Sequence, residues 1–572
     1  MKQFLPILDW LPKYNKANLS SDVFAGITVG VLLIPQGMAY AMIAGLPPIY
    51  GLYASLMPQV VYAFMGSSRQ LSVGPVAMDS LLVALGLGAL SLSGVNEYVA
   101  MAILLAFMMG VVQLILGVAK MGFLVNFLSK PVISGFTSAA AIIIGMSQLK
   151  HLLGIDIPGS NKIQHLFVQA VNAIDGTHLL TLSIGIVAIV LIKIMRRINK
   201  KIPSALIVVV LGIVTVYLFQ WNLQGVKIVE QIPSGLPSFQ LPELNSERIG
   251  DLIPVALTLA LIAFMEAISV SKAVAERHPE YEIDANKELV ALGTSNIVGS
   301  FFQSYPVTGG FSRTAVNDEA GAKTGISSVV SALVIALTLL FLTPLFYYLP
   351  NAVLAAIIMV AVFGLIDFKY PVQLFNRRKD EFFLLIATFI ITLTIGIKEG
   401  ILIGVLLSLL IMVYRTSVPH VAILGKIKGM DYFKNIKRFT EGVENPEEIL
   451  MLRFDAQLYF ANAAFFKKTI EQQVEKKGNA LQYIILNAEA INYIDSTAVL
   501  MLQTVVEELK QKNITFKIAG SIGPTRDIIH KSGLVNVIGQ ENIYVRTAEA
   551  YEDCLQKVGK SELQNKVALQ YK

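Results

Sequence analysis

Apolar stretches about 20 residues long, the length that crosses a bilayer, recur along this chain from Asp22 to Arg415. This repetition constrains the fold more than any single motif. In hydrocarbon a segment of this kind must satisfy its own backbone N–H and C=O groups, so it folds as a helix. Spans are expected near 22–45, 47–66, 96–118, 124–148, 178–195 and 203–221, and again near 252–276, 287–303, 325–346, 350–368, 381–397 and 399–415. Composition agrees: 15% of the 572 residues are charged, against roughly 25% in ordinary globular domains. One cysteine, Cys554, leaves no partner for an intrachain disulfide. The opening MKQFLPILDWLPKYNKANLSSD lacks the basic start, apolar core and cleavage site of a secretory leader, so the first span is expected to act as the insertion signal.

Two further segments are interrupted by glycine and proline. One is SVGPVAMDSLLVALGLGAL (Ser72–Leu90); the other begins SYPVTGGFSRTAVN (Ser304–Asn317) and runs to about Ala322. Counting both gives roughly fourteen membrane segments, about seven in each half. An odd number makes the second half enter the membrane in the opposite sense, an inverted repeat, with the third segment of each half (third and tenth overall) broken. Charge supports this count. Arg69, Lys120, Lys130, RRINKK (Arg196–Lys201), Arg277, Lys287, Lys323, NRRKDE (Asn376–Glu381) and Arg415 fall in alternate loops, whereas LPPIYG, SGVNEY and YYLPNA carry no Lys or Arg. The longer loop around 222–251 has only Lys227 and Arg248. The positive-inside rule then places both termini in the cytoplasm. Paired broken segments at matching positions point to a transporter's substrate site; the alternative is that Gly and Pro are simply common in membrane helices.

The expected organisation is a cytoplasmic segment 1–21, a transmembrane domain 22–415, a basic linker 416–437, an α/β domain 438–560 and a polar tail 561–572. In the α/β domain EILMLRFDA, LQYIILNAE and ITFKIAG read as strands. DSTAVLMLQTVVEELKQK reads as an amphipathic helix with Ala498, Leu502, Val505 and Leu509 on one face.

Several polar residues fall where hydrocarbon should be. Gln36 and Tyr40 share a face of the first span, with Pro35 and Gly37 flanking the glutamine. They would either line a site or join helices. In the broken segments Ser72 and Thr308 are candidate caps, and Pro75 suits a first helical turn. Gly309 and Gly310 allow close backbone approach before Phe311. A helix that starts mid-membrane offers free N–H groups and a positive dipole end to an anion. Arg313 adds charge of the same sign, at a cost of about 2.5–3.5 kcal/mol on insertion scales. It faces a cavity, pairs with an acidic residue, or lies in a loop near Asp318 and Glu319. Glu266 stands inside the span LTLALIAFMEAISVSKAVA. Burial penalises the charged form of a lone carboxylate, so Glu266 could carry a proton, bind Na⁺ or pair with Arg313. Asp79 is a second candidate. Six scattered histidines show no metal-ligand spacing and no Walker-type phosphate loop is present, so no metal, cofactor, nucleic-acid partner or enzymatic reaction is expected.

GITVGVLLIPQGMAYAMIAGLPPIYGLYASLMPQVVYAFMGSSRQLSVGPVA strongly resembles the SulP anion permease family, and GSFFQSYPVTGGFSRTAVNDEAGAKT resembles that family's tenth segment. The C-terminal domain resembles the family's STAS domain, here with NYIDSTA. The resemblance, over about residues 8–555, implies an α-helical membrane protein with a seven-plus-seven inverted repeat and a small cytoplasmic α/β STAS domain, usually dimeric. It implies that the anion lies between the broken segments, near Gln36, Tyr40, the backbone of Val76 and Ala77, and the stretch Thr308, Gly309, Gly310, Phe311, Ser312 and Arg313. Sodium-bicarbonate members carry an Asp and a Thr one turn apart where this chain has Glu266 and Val270. That departure argues against Na⁺, and a glutamate there resembles proton-coupled sulfate and carboxylate members. Similarity to anti-sigma-factor antagonists makes Asp495, Ser496 and Thr497 a possible regulatory loop phosphorylated at Thr497; a helix capped by Asp495 explains the same residues.

The reading is a secondary active anion transporter of the plasma membrane, driven by a proton through Glu266, with sulfate the leading substrate. Bicarbonate or a dicarboxylate, an exchanger, a passive channel, or a membrane sensor acting through a STAS partner are the alternatives.

Overall fold

The computed structural model describes residues 6–570, apart from 89, 91, 93, 124–128, 156–162, 200–202, 244–245, 365 and 440–441. The chain divides into two compact units, Met1–Ser408 and Leu409–Lys572.

The first unit is helical. Its first long helix, Lys16–Ile43, starts where the Asn15 side chain accepts a hydrogen bond from the Asn18 N–H, and ends before Gly45 at φ +77°. It runs unbroken through Pro35 and Gly37. Among the described residues six helices are long and apolar enough to cross a membrane, including Lys16–Ile43, Val95–Val118 and Ile326–Phe346. Others expected as plain spans are shorter or interrupted. The stretch 47–66 divides into Pro48–Ala54 and Met57–Met65, with Pro58 opening the second helix. Of the six long helices, Ile326–Phe346 passes from α-helix through a π turn (Thr338–Leu342) into a 3₁₀ turn that contains Pro344.

Packing between the halves is reciprocal. Lys16–Ile43, the first helix of the first half, packs on Ile326–Leu337 of the second; Ser246–Ala275, the first helix of the second half, packs on Val95–Val118 of the first. Two buried carboxylates seal the seams. Asp22 accepts from the Lys323 and Thr324 N–H groups (2.7 and 3.0 Å), the Thr324 hydroxyl (2.6 Å) and Tyr14 (3.2 Å). Glu288 accepts from Tyr62 (2.7 Å), from the Ser67 N–H and hydroxyl (2.8 and 2.7 Å) and from the Ser68 N–H (3.3 Å). Each charge is surrounded by donors, which offsets its desolvation.

The second unit carries a mixed sheet, ordered Phe433–Asn435, Val421–Ile427, Ile449–Phe454, Tyr483–Asn487, Thr515–Ala519, Ile543–Tyr544, with Val443–Glu444 also paired to Val421–Ile427. The pairings from Ile449–Phe454 to Ile543–Tyr544 are parallel. Helices Ala463–Lys477 and Ser496–Gln511 cover the sheet, and Leu502, Val505 and Leu509 are buried as their spacing required. The expected linker 416–437 is corrected: it supplies the strands Val421–Ile427 and Phe433–Asn435, because Ala422 and Leu424 alternate inward. Helix Thr547–Gln570 likewise covers most of the expected polar tail.

Candidate functional site

The two broken segments meet. Val73–Gly74 and Thr308–Gly309 pair as short antiparallel strands, in register Val73 with Gly309 and Gly74 with Thr308. Each strand then opens a helix, Ala77–Gly88 and Phe311–Glu319. The first intrahelical bonds run from Ser80 N–H to the Val76 carbonyl and from Thr314 N–H to the Gly310 carbonyl. The N–H groups of Ala77, Met78 and Asp79, and of Phe311, Ser312 and Arg313, therefore precede the hydrogen-bond ladder, and the positive ends of both helix dipoles lie at the crossing.

The caps differ from expectation. Thr308 lies in the strand, and its hydroxyl donates to the Ala263 carbonyl (2.6 Å), tying the strand to the helix that carries Glu266. Gly310 precedes the second helix without a side-chain cap. Ser72 does not cap: its N–H donates to the Thr314 hydroxyl at 3.0 Å and its carbonyl accepts from Gly310. Pro75 stands ahead of the first helix rather than in its first turn. Thr308 is held in the strand pair, and Ser72 and Pro75 lie ahead of the first helix.

Arg313 is 1% exposed. Nη1 donates to the Pro75 carbonyl (2.6 Å), while Nε and Nη2 have no hydrogen-bond partner among the described residues. It is neither a loop residue nor an ion-paired one; Asp318 instead bonds Arg277 and His278. Gly310 makes room for the guanidinium: a Cβ there would sit 2.7 Å from its central carbon. Gln36 and Tyr40 are buried on the first helix, and Gln36 Oε1 has no hydrogen-bond partner among the described residues. Tyr40 and Glu266 both lie close enough to Arg313 to feel its charge. Glu266 and Asp79 feel each other as well, and Glu266 Oε2 and both Asp79 carboxylate oxygens are buried without hydrogen-bond partners among the described residues. Val76 and Ala77 are buried, and Phe311 and Ser312 are exposed. A cavity of about 230 Å³ lies alongside, bounded by Met78, Phe136, Glu266, Val270 and Phe311 among others.

Sequence reasoning missed the supports. Asn296 donates to the Val307 carbonyl and accepts from its N–H, both at 3.0 Å, fixing the approach to the second strand. Tyr305 and Ser80 share a hydrogen bond of 3.1 Å across the two segments. A buried asparagine ahead of a glycine-broken stretch was the available signal. In the second unit Asp495 caps its helix by accepting from the Ala498 N–H (2.8 Å), leaving Ser496 and Thr497 exposed in the first turn.

Helices long and apolar enough to cross a bilayer, and two half-helices whose N-termini meet beside a buried guanidinium, define a class: a multi-pass membrane transporter, not an enzyme. The chain belongs to the sulfate permease family, whose pattern it matches over residues 19–388, and it carries a STAS domain over residues 442–550. It is 38% identical to sulfate transporter 4.1, chloroplastic, of Arabidopsis thaliana, over 98% of this chain and 84% of that one. It is 34% identical to high affinity sulfate transporter 2 of Stylosanthes hamata, over 96% and 86%. Among solved structures it resembles murine Solute Carrier 26 family member A9, an anion transporter, in the inward-facing state (TM-score 0.89, 25% identity, 97% and 94% covered). The fold of the transmembrane domain of a cyanobacterium bicarbonate transporter is also similar (TM-score 0.60, 23% identity, 69% and 98% covered).

Proposed function

We propose that this protein takes up sulfate by proton-coupled alternating access, as a homodimer in the plasma membrane with both termini cytoplasmic. The observation that carries the reading is Arg313, a buried guanidinium with Nε and Nη2 unpartnered beside two convergent helix N-termini. Such donors favour an anion with several acceptor oxygens. The names of the plant relatives make sulfate the leading one. The backbone of Val76, Ala77, Phe311 and Ser312 supplies further donors, Gln36 a polar contact and Tyr40 a wall. Thr308, Gly309 and Gly310 shape the entrance.

Glu266 supplies the coupling. With Glu266 ionised, its charge competes with the substrate for the field of Arg313. A proton arriving from the acidic side removes that competition, and substrate and proton then cross together. Val270, one turn on, offers no hydroxyl to a Na⁺ ion. The chloroplastic relative leaves an organelle membrane as the other location. Labelled sulfate, bicarbonate, fumarate and chloride uptake into proteoliposomes, with pH and Na⁺ gradients imposed in turn, tests this. Sulfate uptake driven by an inward proton gradient is expected. Uptake driven only by Na⁺, or flux needing no gradient of either cation, overturns the coupling.

A further inference from the structure

The basic stretch between the last membrane helix and the STAS core has no part in transport as described. It forms a hairpin, strands Val421–Ile427 and Phe433–Asn435, at the edge of the sheet. Beside it lies a groove of about 260 Å³, bounded by Tyr432, Lys434, Arg438, Phe439, Arg453 and Asp455 among others. Asp455 is already saturated: Arg453 donates to it from Nε and Nη2 (2.5 and 3.2 Å), and His420 Nδ1 lies 2.8 Å away. Burial alone raises the Asp455 carboxyl, but these two partners hold it below the usual carboxylate range. Asp431 is turned to Lys426, at 3.0 Å. Lys434 and Arg438 have no carboxylate partner among the described residues. Lys434 rests instead over the rings of Tyr432 (4.8 Å) and Phe439 (5.0 Å). The groove is therefore net positive.

The same hairpin exposes apolar surface. Met430 is 62%, Tyr432 56% and Phe439 47% exposed, interleaved with the exposed cations Lys428, Lys437 and Arg438. Cations alternating with aromatic residues is the chemistry of a membrane–water interface. In sequence the hairpin begins a few residues after the last apolar helix. The apolar stretch Leu402–Ser417 carries Arg415 in its last turn, His420 follows shortly after it, and within the second unit Asn462 donates to the Thr416 carbonyl (3.1 Å).

We propose that this hairpin is a membrane-surface contact of the STAS domain, and that the groove takes the phosphate of an anionic phospholipid between Lys434, Arg438 and Arg453. Met430, Tyr432 and Phe439 then rest at the acyl boundary. The exposed apolar residues favour a lipid over a soluble phosphate, which has nothing to place on them.

Hydrogen exchange of the full-length protein in nanodiscs tests this. The probes are phosphatidylcholine alone, phosphatidylcholine with phosphatidylglycerol, and phosphatidylcholine with inorganic phosphate in the buffer. Exchange across 428–439 is expected to slow in the phosphatidylglycerol discs, by about fivefold for each engaged cation. High salt should reverse it. Lys434→Gln with Arg438→Gln should abolish the slowing, whereas Lys434→Arg with Arg438→Lys should retain it. Unchanged exchange in the strand Tyr483–Asn487 reports that the variants are folded. Equal exchange in neutral and anionic discs overturns the proposal. Equal slowing by inorganic phosphate in neutral discs also overturns it, in favour of a soluble phosphate ligand. If the glutamine variant fails to fold, the wild-type comparison between lipids and the conservative variant still decide.

Discussion

Replacing Arg313 with alanine is the sharpest test of the site. The guanidinium spends one N–H on the Pro75 carbonyl and keeps Nε and Nη2 unengaged. If a bound sulfate takes even one charge-assisted bond from these atoms, its loss is about 1.5–3 kcal/mol, or roughly 10- to 150-fold in affinity. The substitution also strips the Pro75 carbonyl of its donor, so folding must be followed independently. Labelled sulfate uptake into proteoliposomes gives KM and the maximal rate. Sulfate-dependent thermal stabilisation in detergent gives binding without transport, because a ligand that binds the folded state raises its melting temperature with concentration. Arg313→Ala is expected to lose that stabilisation at sulfate concentrations that saturate the wild type, while keeping a cooperative melt. Arg313→Lys retains the charge but not the planar fork, and is expected to fall between the two. An alanine variant with wild-type KM and wild-type sulfate stabilisation refutes the argument.

Further outcomes follow from the same geometry. Glu266→Gln is expected to leave sulfate flux without acceleration by an acidic outside, measured as uptake against imposed pH gradient; persistent acceleration would assign the proton elsewhere. Gly51→Val should lower the melting temperature, because even a Cβ at Gly51 would lie 1.9 Å from the Gly37 carbonyl oxygen, and overpacking costs about 1–3 kcal/mol. Asp495→Ala removes the acceptor for the Ala498 N–H and should cost about 1 kcal/mol of STAS stability in chemical denaturation. In the STAS core, burial alone raises the Asp553 carboxyl, but bonds from Lys517, Lys557 and Tyr544 hold it well below the usual carboxylate range. Its folded value is depressed, so its stabilisation is present above the unfolded value near about 4 and is lost as pH falls through the folded value. Lys517→Met should flatten that acid dependence in denaturant titrations of the full-length protein.

The membrane architecture was readable because bilayer thickness writes a length into the sequence. Gln36, Tyr40, Glu266 and Arg313 were findable because polar residues stand out against a greasy background. Their partners were not. Ser72 and Thr308 look like helix caps by local chemistry, yet contacts with the other half take both out of that role. Asn296 and Tyr305 work through contacts remote in sequence, which no local pattern carries. The hairpin Val421–Asn435 escaped for another reason: its lysines gave it the composition of a linker, while the alternation of Ala422 and Leu424 that makes it a strand is only a few residues long.

Burial alone does not single out the site, since Asp22 and Glu288 are as deeply buried as anything near Arg313. What differs is satisfaction. Those two carboxylates are ringed by hydroxyl and backbone donors, as a charge in a static seam must be. Among the described residues of the first unit, the charged side chains with buried, unpartnered atoms are Asp79, Glu266 and Arg313, and all lie around the meeting of the two half-helices. A fold that satisfies its other buried charges could have paired these with one another, yet Arg313 is bonded to a carbonyl instead. An orphaned buried charge costs several kcal/mol, so its concentration in one place fits groups whose partners come and go. The proposed substrate anion on Arg313 and proposed proton on Glu266 would be partners of that kind. They leave Asp79 as the carboxylate whose partner the transport cycle has yet to supply, and Asp79→Asn should alter the pH dependence of uptake if that partner is a second proton.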